Sequence, residues 1–89
     1  MRDWNDRRKR IFMRASHRGM KEMDILLGRY AQDALSDLDE SQLDALETLM
    51  DESDQDLFLW VTGQRAAPPV HMGALEHIRN HHGIKSESS

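Results

Sequence analysis

Cysteine is absent from this chain of 89 residues. Disulfides, thiolate metal sites and a cysteine nucleophile are therefore excluded. The absence fits a reducing compartment. Long apolar runs are missing too. Nothing approaches the ~20 residues that span a bilayer as a helix, and the mean hydropathy is -0.75. No direct membrane insertion is expected. Strand-like alternation of apolar and polar residues is not seen, and neither is an internal repeat. Proline occurs only as the adjacent pair Pro68 and Pro69, which allows one hard interruption of a helical chain. The most telling scarcity is of positive charge. Residues 31–62 contain ten acids and neither lysine nor arginine.

The missing cations sit upstream. Residues 1–30 hold nine of the twelve Lys and Arg against four acids, and the formal net charge is -4. Such polarity has two readings. The basic segment could bind nucleic acid, or the two segments attract each other or present separate faces. The second reading is the simpler. An Arg-rich start also resembles a mitochondrial presequence, but Asp3 and Asp6 break its acid-poor rule, and there is no apolar stretch for secretion. The start therefore reads as part of the mature fold, and the expected location is cytoplasmic. A length of 89 residues implies one domain. It is expected to cover 1–82, followed by a polar, disordered tail over 83–89.

Helical periodicity runs almost throughout. Asp3 is the expected cap of a first helix with Trp4, Ile11, Phe12 and Ala15 on one face and Arg7, Arg8, Lys9, Arg10 and Arg14 on the other. Ser16 is the expected cap of a second, from about His17 to Leu35. Its stripe is Met20, Met23, Leu27, Tyr30, Ala31 and Ala34. Asp39 and Gln42 have the spacing of a capping box, opening a third helix with Leu43, Leu46, Leu49 and Met50 inside. Asp54 is the expected cap of a short fourth helix carrying Leu57, Phe58, Trp60 and Val61, with Gly63 as its stop. A loop over 64–69 leads to a weaker last helix, about 70–81, with Met72, Leu75 and Ile78 inward. The fold class is all-α, a compact bundle of about five helices.

The segment Arg18-Gly19-Met20-Lys21-Glu22 is unusual because glycine costs roughly 1 kcal/mol relative to alanine inside a helix. On a helical wheel Arg18, Glu22, Ile25 and Arg29 stack outward, with Gly19 and Leu26 at the flank. Three explanations for Gly19 stay open from spacing alone. It could pack tightly on the first helix, the second helix could start after it, or the backbone of a partner could press against it. A helical Arg18–Glu22 pair would add only ~0.3 kcal/mol, so recognition is a better reason for the pair than stability.

These residues carry a resemblance. Arg18-Gly19-Met20-Lys21-Glu22, followed by Met23-Asp24, resembles the RGxxE signature of the SdhE family of flavinylation factors. The upstream basic residues, the run Leu26-Leu27-Gly28-Arg29-Tyr30 and the stretch Leu43 to Met50 with Asp51, Asp54, Asp56-Leu57 and Trp60 extend the likeness over roughly residues 7–63. His17 departs from it, where many relatives carry a second arginine. The resemblance implies a small helical assembly factor, not an enzyme. Such a factor promotes covalent attachment of FAD to the flavoprotein subunit of succinate dehydrogenase, and in bacteria of fumarate reductase. In that family's chemistry a histidine of the flavoprotein joins the 8α-methyl of FAD, through a quinone-methide tautomer. Arg18, Gly19, Glu22, Asp24 and Ile25 are then expected to bind the partner. The chain is expected to be a monomer, with no cofactor of its own and no nucleic-acid partner.

Rival sites are weaker. A basic first helix meeting a second near Gly19 could imitate a helix-turn-helix in a nucleic-acid-binding or regulatory protein, but ten acids in the middle would repel phosphate. His77 and His81 form an HxxxH pair with His71 and His82 nearby. No acid is placed to complete a metal site, so they read as a solvated helix end and no metal is expected. The acids from Asp51 to Asp56 lack the glycine and final glutamate of a calcium loop and read as a capping turn. Trp4, Phe12, Tyr30, Phe58 and Trp60 read as core. No combination of serine, histidine and acid suggests a catalytic residue.

Overall fold

Asn5 opens the first helix, its side chain taking the backbone N–H of Arg8 at 2.9 Å. The computed structural model describes residues 4–83; the expected cap Asp3 lies outside them, and Asn5 is the cap in its place. Five α-helices follow in order: α1 (Asp6–Ser16), α2 (Lys21–Ala34), α3 (Glu40–Met50), α4 (Asp54–Val61) and α5 (Met72–His82). Short 3-10 turns at Leu35–Asp37 and Pro69–His71 lead into α3 and α5. Among the described residues there is no strand, and no helix is long and apolar enough to cross a membrane. The all-α expectation holds. Of the tail expected over 83–89, only Gly83 is described, in the left-handed conformation that ends α5.

Two further expected helix starts need correction. Ser16 is the last residue of α1, and its hydroxyl bonds back to the Phe12 carbonyl at 2.8 Å. The second helix begins only at Lys21, with Met20 as its cap residue and no side chain capping it from within the helix. Ser53, not Asp54, caps α4 by accepting the Asp56 N–H at 3.2 Å. The other expected end signals are as anticipated. Asp39 and Gln42 make a reciprocal capping box at α3. Gly63 ends α4 at φ 80°, where its N–H bonds the Trp60 carbonyl and that of Gln64 the Leu59 carbonyl. That pattern needs a residue tolerant of positive φ.

One core joins all five helices. Ile11 and Ala15 of α1, Met23, Leu27, Tyr30 and Ala31 of α2, Leu43, Leu46, Leu49 and Met50 of α3, Leu57, Trp60 and Val61 of α4, and Leu75 and Ile78 of α5 are buried. Trp4, Phe12, Met20, Ala34 and Phe58 pack against this core while half-buried. Met72 is the exception to the expected stripe, at 56% exposed. It sits where the 3-10 turn hands over to α5, and the turn presents His71 inward in its place.

Close helix contact falls at Gly28, not Gly19. A Cβ at Gly28 would lie 3.4 Å from the Ser16 Cβ and 3.5 Å from its Cα, so α1 and α2 approach across that glycine. Gly28→Ala should be tolerated within about 1 kcal/mol, since a methyl just fits and alanine favours the helix. Gly28→Val should cost about 2–3 kcal/mol by forcing α1 away. Urea denaturation of both variants checks this, and equal stability of the two would remove the packing role.

Tyr30 gives a second test. Burial raises its phenol above the ordinary value of 10.0, because the phenolate loses solvation. The neutral form is thus favoured by folding. Its contribution is complete below pH 10 and is lost as pH rises through the folded-state value. Tyr30 is the single tyrosine, so absorbance at 295 nm (an ordinary phenolate wavelength) should titrate at higher pH in the folded chain than in urea. Coincident curves would show an exposed ring.

Candidate functional site

The turn joining α1 to α2 is built around one ion pair. Arg18 Nε donates to Asp54 Oδ1 at 2.5 Å, and both side chains are largely shielded, 11% and 18% exposed. The guanidinium also donates to the carbonyls of Met50 at 2.8 Å and Glu52 at 3.0 Å. The second Asp54 oxygen accepts the N–H of Gly19 at 2.8 Å and of Met20 at 3.2 Å. Asp24, from the first turn of α2, accepts the N–H of Arg18. Arg18 thus ties the end of α3 to this turn, and Asp54 supplies the acceptor that α2 lacks at its own start.

This geometry changes the expected outward row. Arg18 precedes α2 and its side chain turns inward onto α4, so it does not stack with Glu22. Glu22, Ile25 and Arg29 do face out. Ile25 is 47% exposed. Among the described residues, no ion pair or side-chain hydrogen bond engages Glu22. Leu26 is half-buried against the core. Arg14, His17, Arg18, Gly19 and Asp54 line a recess of about 300 Å³ at the turn.

Gly19 lies in the turn, the second of its three possible settings. Yet the turn does not require a glycine. Its φ is not positive, and a Cβ would meet only Asp54 Oδ2, at an ordinary 3.5 Å. An alanine therefore fits both sterically and conformationally.

The family model described as a flavinator of succinate dehydrogenase matches residues 9–82. The chain belongs to this family. Among curated relatives, the mitochondrial succinate dehydrogenase assembly factor 2 of Meyerozyma guilliermondii is 36% identical over 64 residues, covering 72% of this chain and 47% of the relative. The zebrafish (Danio rerio) protein of the same name is 36% identical over 69 residues, 75% of this chain and 44% of the relative. That of Yarrowia lipolytica is 39% identical over 56 residues, 63% and 39%. The chain spans less than half the length of these relatives. The family match takes in most of α1 and the whole of the turn, α2 to α4 and α5.

Sequence reasoning missed the role of Asp54. It placed this residue in the resembling segment and gave it a local capping duty, whereas its carboxylate serves a turn 34 to 36 residues away. The usable signal was that Arg18 and Asp54 both belong to the resembling segments. The four histidines of α5 and its leading turn also separate. His71 is buried and bonds Glu52 at 2.9 Å, His81 meets Asp33 at 2.8 Å, and His82 meets the Leu26 carbonyl at 2.8 Å. Only His77 keeps to the solvated end expected of them.

Arg18→Ala should lower unfolding free energy by about 2–3 kcal/mol, since it strands a shielded carboxylate and two carbonyls. Asp54→Ala should act similarly, and the double variant should lose less than the sum. Urea melts give all four corners of the cycle. Strictly additive losses would mean that the pair is not the unit.

Proposed function

We propose that this chain is an assembly factor that binds the flavoprotein subunit of succinate dehydrogenase and promotes covalent attachment of its FAD. Membership of the flavinator family supports the reading, as do the assembly-factor names of its relatives. The observation that carries it to particular residues is Gly19. The described residues give that glycine no internal reason, and close after it in the chain come Glu22, without an ion pair among the described residues, and the exposed Ile25. A surface kept bare next to an unpaired charge and an apolar side chain suits docking by another backbone. Gly19, Glu22 and Ile25 then touch the client. Arg18 and Asp24 hold the turn that presents them and add contacts at its rim.

The chain acts as a chaperone and not as an enzyme, and it has no cofactor of its own. The client supplies FAD and the histidine that becomes linked to its 8α-methyl. Alignment of those two groups is the difficult part, because positioning alone can be worth about 7–11 kcal/mol. A bound factor contributes by favouring the client conformation in which they meet. The flavoprotein of fumarate reductase is a second client of the same chemistry. The factor works as a monomer in the cytoplasm, although the named relatives are mitochondrial. A nucleic-acid role is disfavoured because Arg7, Arg14 and Arg18 are already paired with acids of the same chain.

Gly19→Arg should keep its helical circular dichroism and bind the flavoprotein subunit at least about tenfold more weakly. Normal binding would end the docking role of Gly19. Glu22→Ala should leave stability within about 0.5 kcal/mol and reduce covalent FAD, read as flavin fluorescence of the denatured subunit in a gel. Unchanged fluorescence would remove Glu22 from the mechanism.

A further inference from the structure

We propose that the groove between α2, α3 and α5 is a second docking site, one that takes a lysine- or arginine-bearing peptide segment of a protein partner. Two adjoining recesses of about 380 and 410 Å³ share Tyr30, Gln42 and His77 as walls. Their size is that of a ligand site. They lie along the C-terminal half of α2, away from the turn at Gly19.

Three observations point outward from this groove. Tyr30 is 4% exposed, lines both recesses, and its hydroxyl makes no hydrogen bond among the described residues. Its ring is buried while its hydroxyl is not among the buried atoms that lack a partner, so this donor and acceptor is open to a ligand in the groove. Gly73 stands on the wall in the first turn of α5, and a Cβ there would meet nothing within 4 Å. Packing within the chain therefore gives no reason for that glycine, whereas the approach of another backbone does. The third observation is charge. The acids on the α1 side each have an arginine partner: Glu40, Asp44 and Glu47 share Arg7, Asp51 has Arg14 and Asp54 has Arg18. The two carboxylates of the groove, Asp37 and Glu76, have no ion pair or side-chain hydrogen bond among the described residues. Small walls suit a peptide with small side chains, and the unpaired acids select its cation.

The site is independent of the client reading, so its test uses peptides and not the flavoprotein. The isotopically labelled full chain is titrated with the capped peptide Ac-Ala-Arg-Ala-Arg-Ala-NH2, followed by amide chemical shifts. Its counterpart with glutamate in place of arginine and free ethylguanidinium are the controls. Saturable shifts at Ser41, Gly73 and His77 with the arginine peptide alone are expected. Gly73→Trp, which fills open space, should abolish them while the melting temperature holds. Asp37→Asn combined with Glu76→Gln, both at the surface, should weaken the response by about threefold or more. Equal shifts with the glutamate peptide would overturn the charge argument, and equal shifts with ethylguanidinium would reduce the groove to a small-cation site. A response confined to Glu22 and its neighbours, no response at all, or one indifferent to both sets of substitutions would overturn the site.

Discussion

Helix ends in this protein are closed by arginines from elsewhere in the chain. None of α2, α3 or α4 has a basic residue in its last turn, so their terminal carbonyls and negative dipole ends need outside donors. Arg8 of α1 reaches the carbonyls of Leu35 and Leu38 at 2.8 and 2.6 Å. Arg18 reaches those of Met50 and Glu52, and Arg79 of α5 those of Trp60 and Val61. Each such charged bond contributes about 1.5–3 kcal/mol net. Apolar burial brings the helices together, but these donors fix which end meets which element. The surface pairs follow the same direction. Arg7 gathers Glu47, Asp44 and Glu40 of α3, and hydrogen bonds to Glu47 and then Asp44 hold its guanidinium protonated beyond its ordinary value.

Much of the fold was legible from spacing. Helical stripes in α3 and the Asp39–Gln42 box depend on residues three and four apart, and they matched closely. Gly63 was readable for the same reason, because a left-handed stop is a local requirement. Ser16 and Asp54 were misread as caps because a small polar residue before a stripe looks the same whether it begins the next helix or ends the last. The hydroxyl of Ser16 chose its own helix, and the carboxylate of Asp54 chose a distant turn. Met72 was misread because a 3-10 turn rotates the side chains entering α5.

The site was legible in composition and only partly in geometry. The mutual attraction of basic and acidic segments was among the readings of the charge polarity, and the ion pairs of Arg7, Arg14 and Arg18 realise it. What no wheel could supply was the break at 17–20, which takes Arg18 out of the row with Glu22. Local propensity offered a continuous helix there. The tertiary contact of Asp54 with two consecutive N–H groups favours a turn instead.

The separation of charge along the chain also orders events during synthesis. The basic segment leaves the ribosome before its acidic complements, which follow 33 to 40 positions later. A nascent α1 and α2 therefore carry donors with no acceptors until Glu40 to Asp54 emerge. At synthesis rates of about 5–20 residues per second, that interval lasts seconds, far longer than the microseconds in which a helix forms. During it, the α1 segment is cationic and has none of its acidic partners. The acids of the middle segment thus do more than hold the finished bundle: their arrival ends the period in which its beginning can stray.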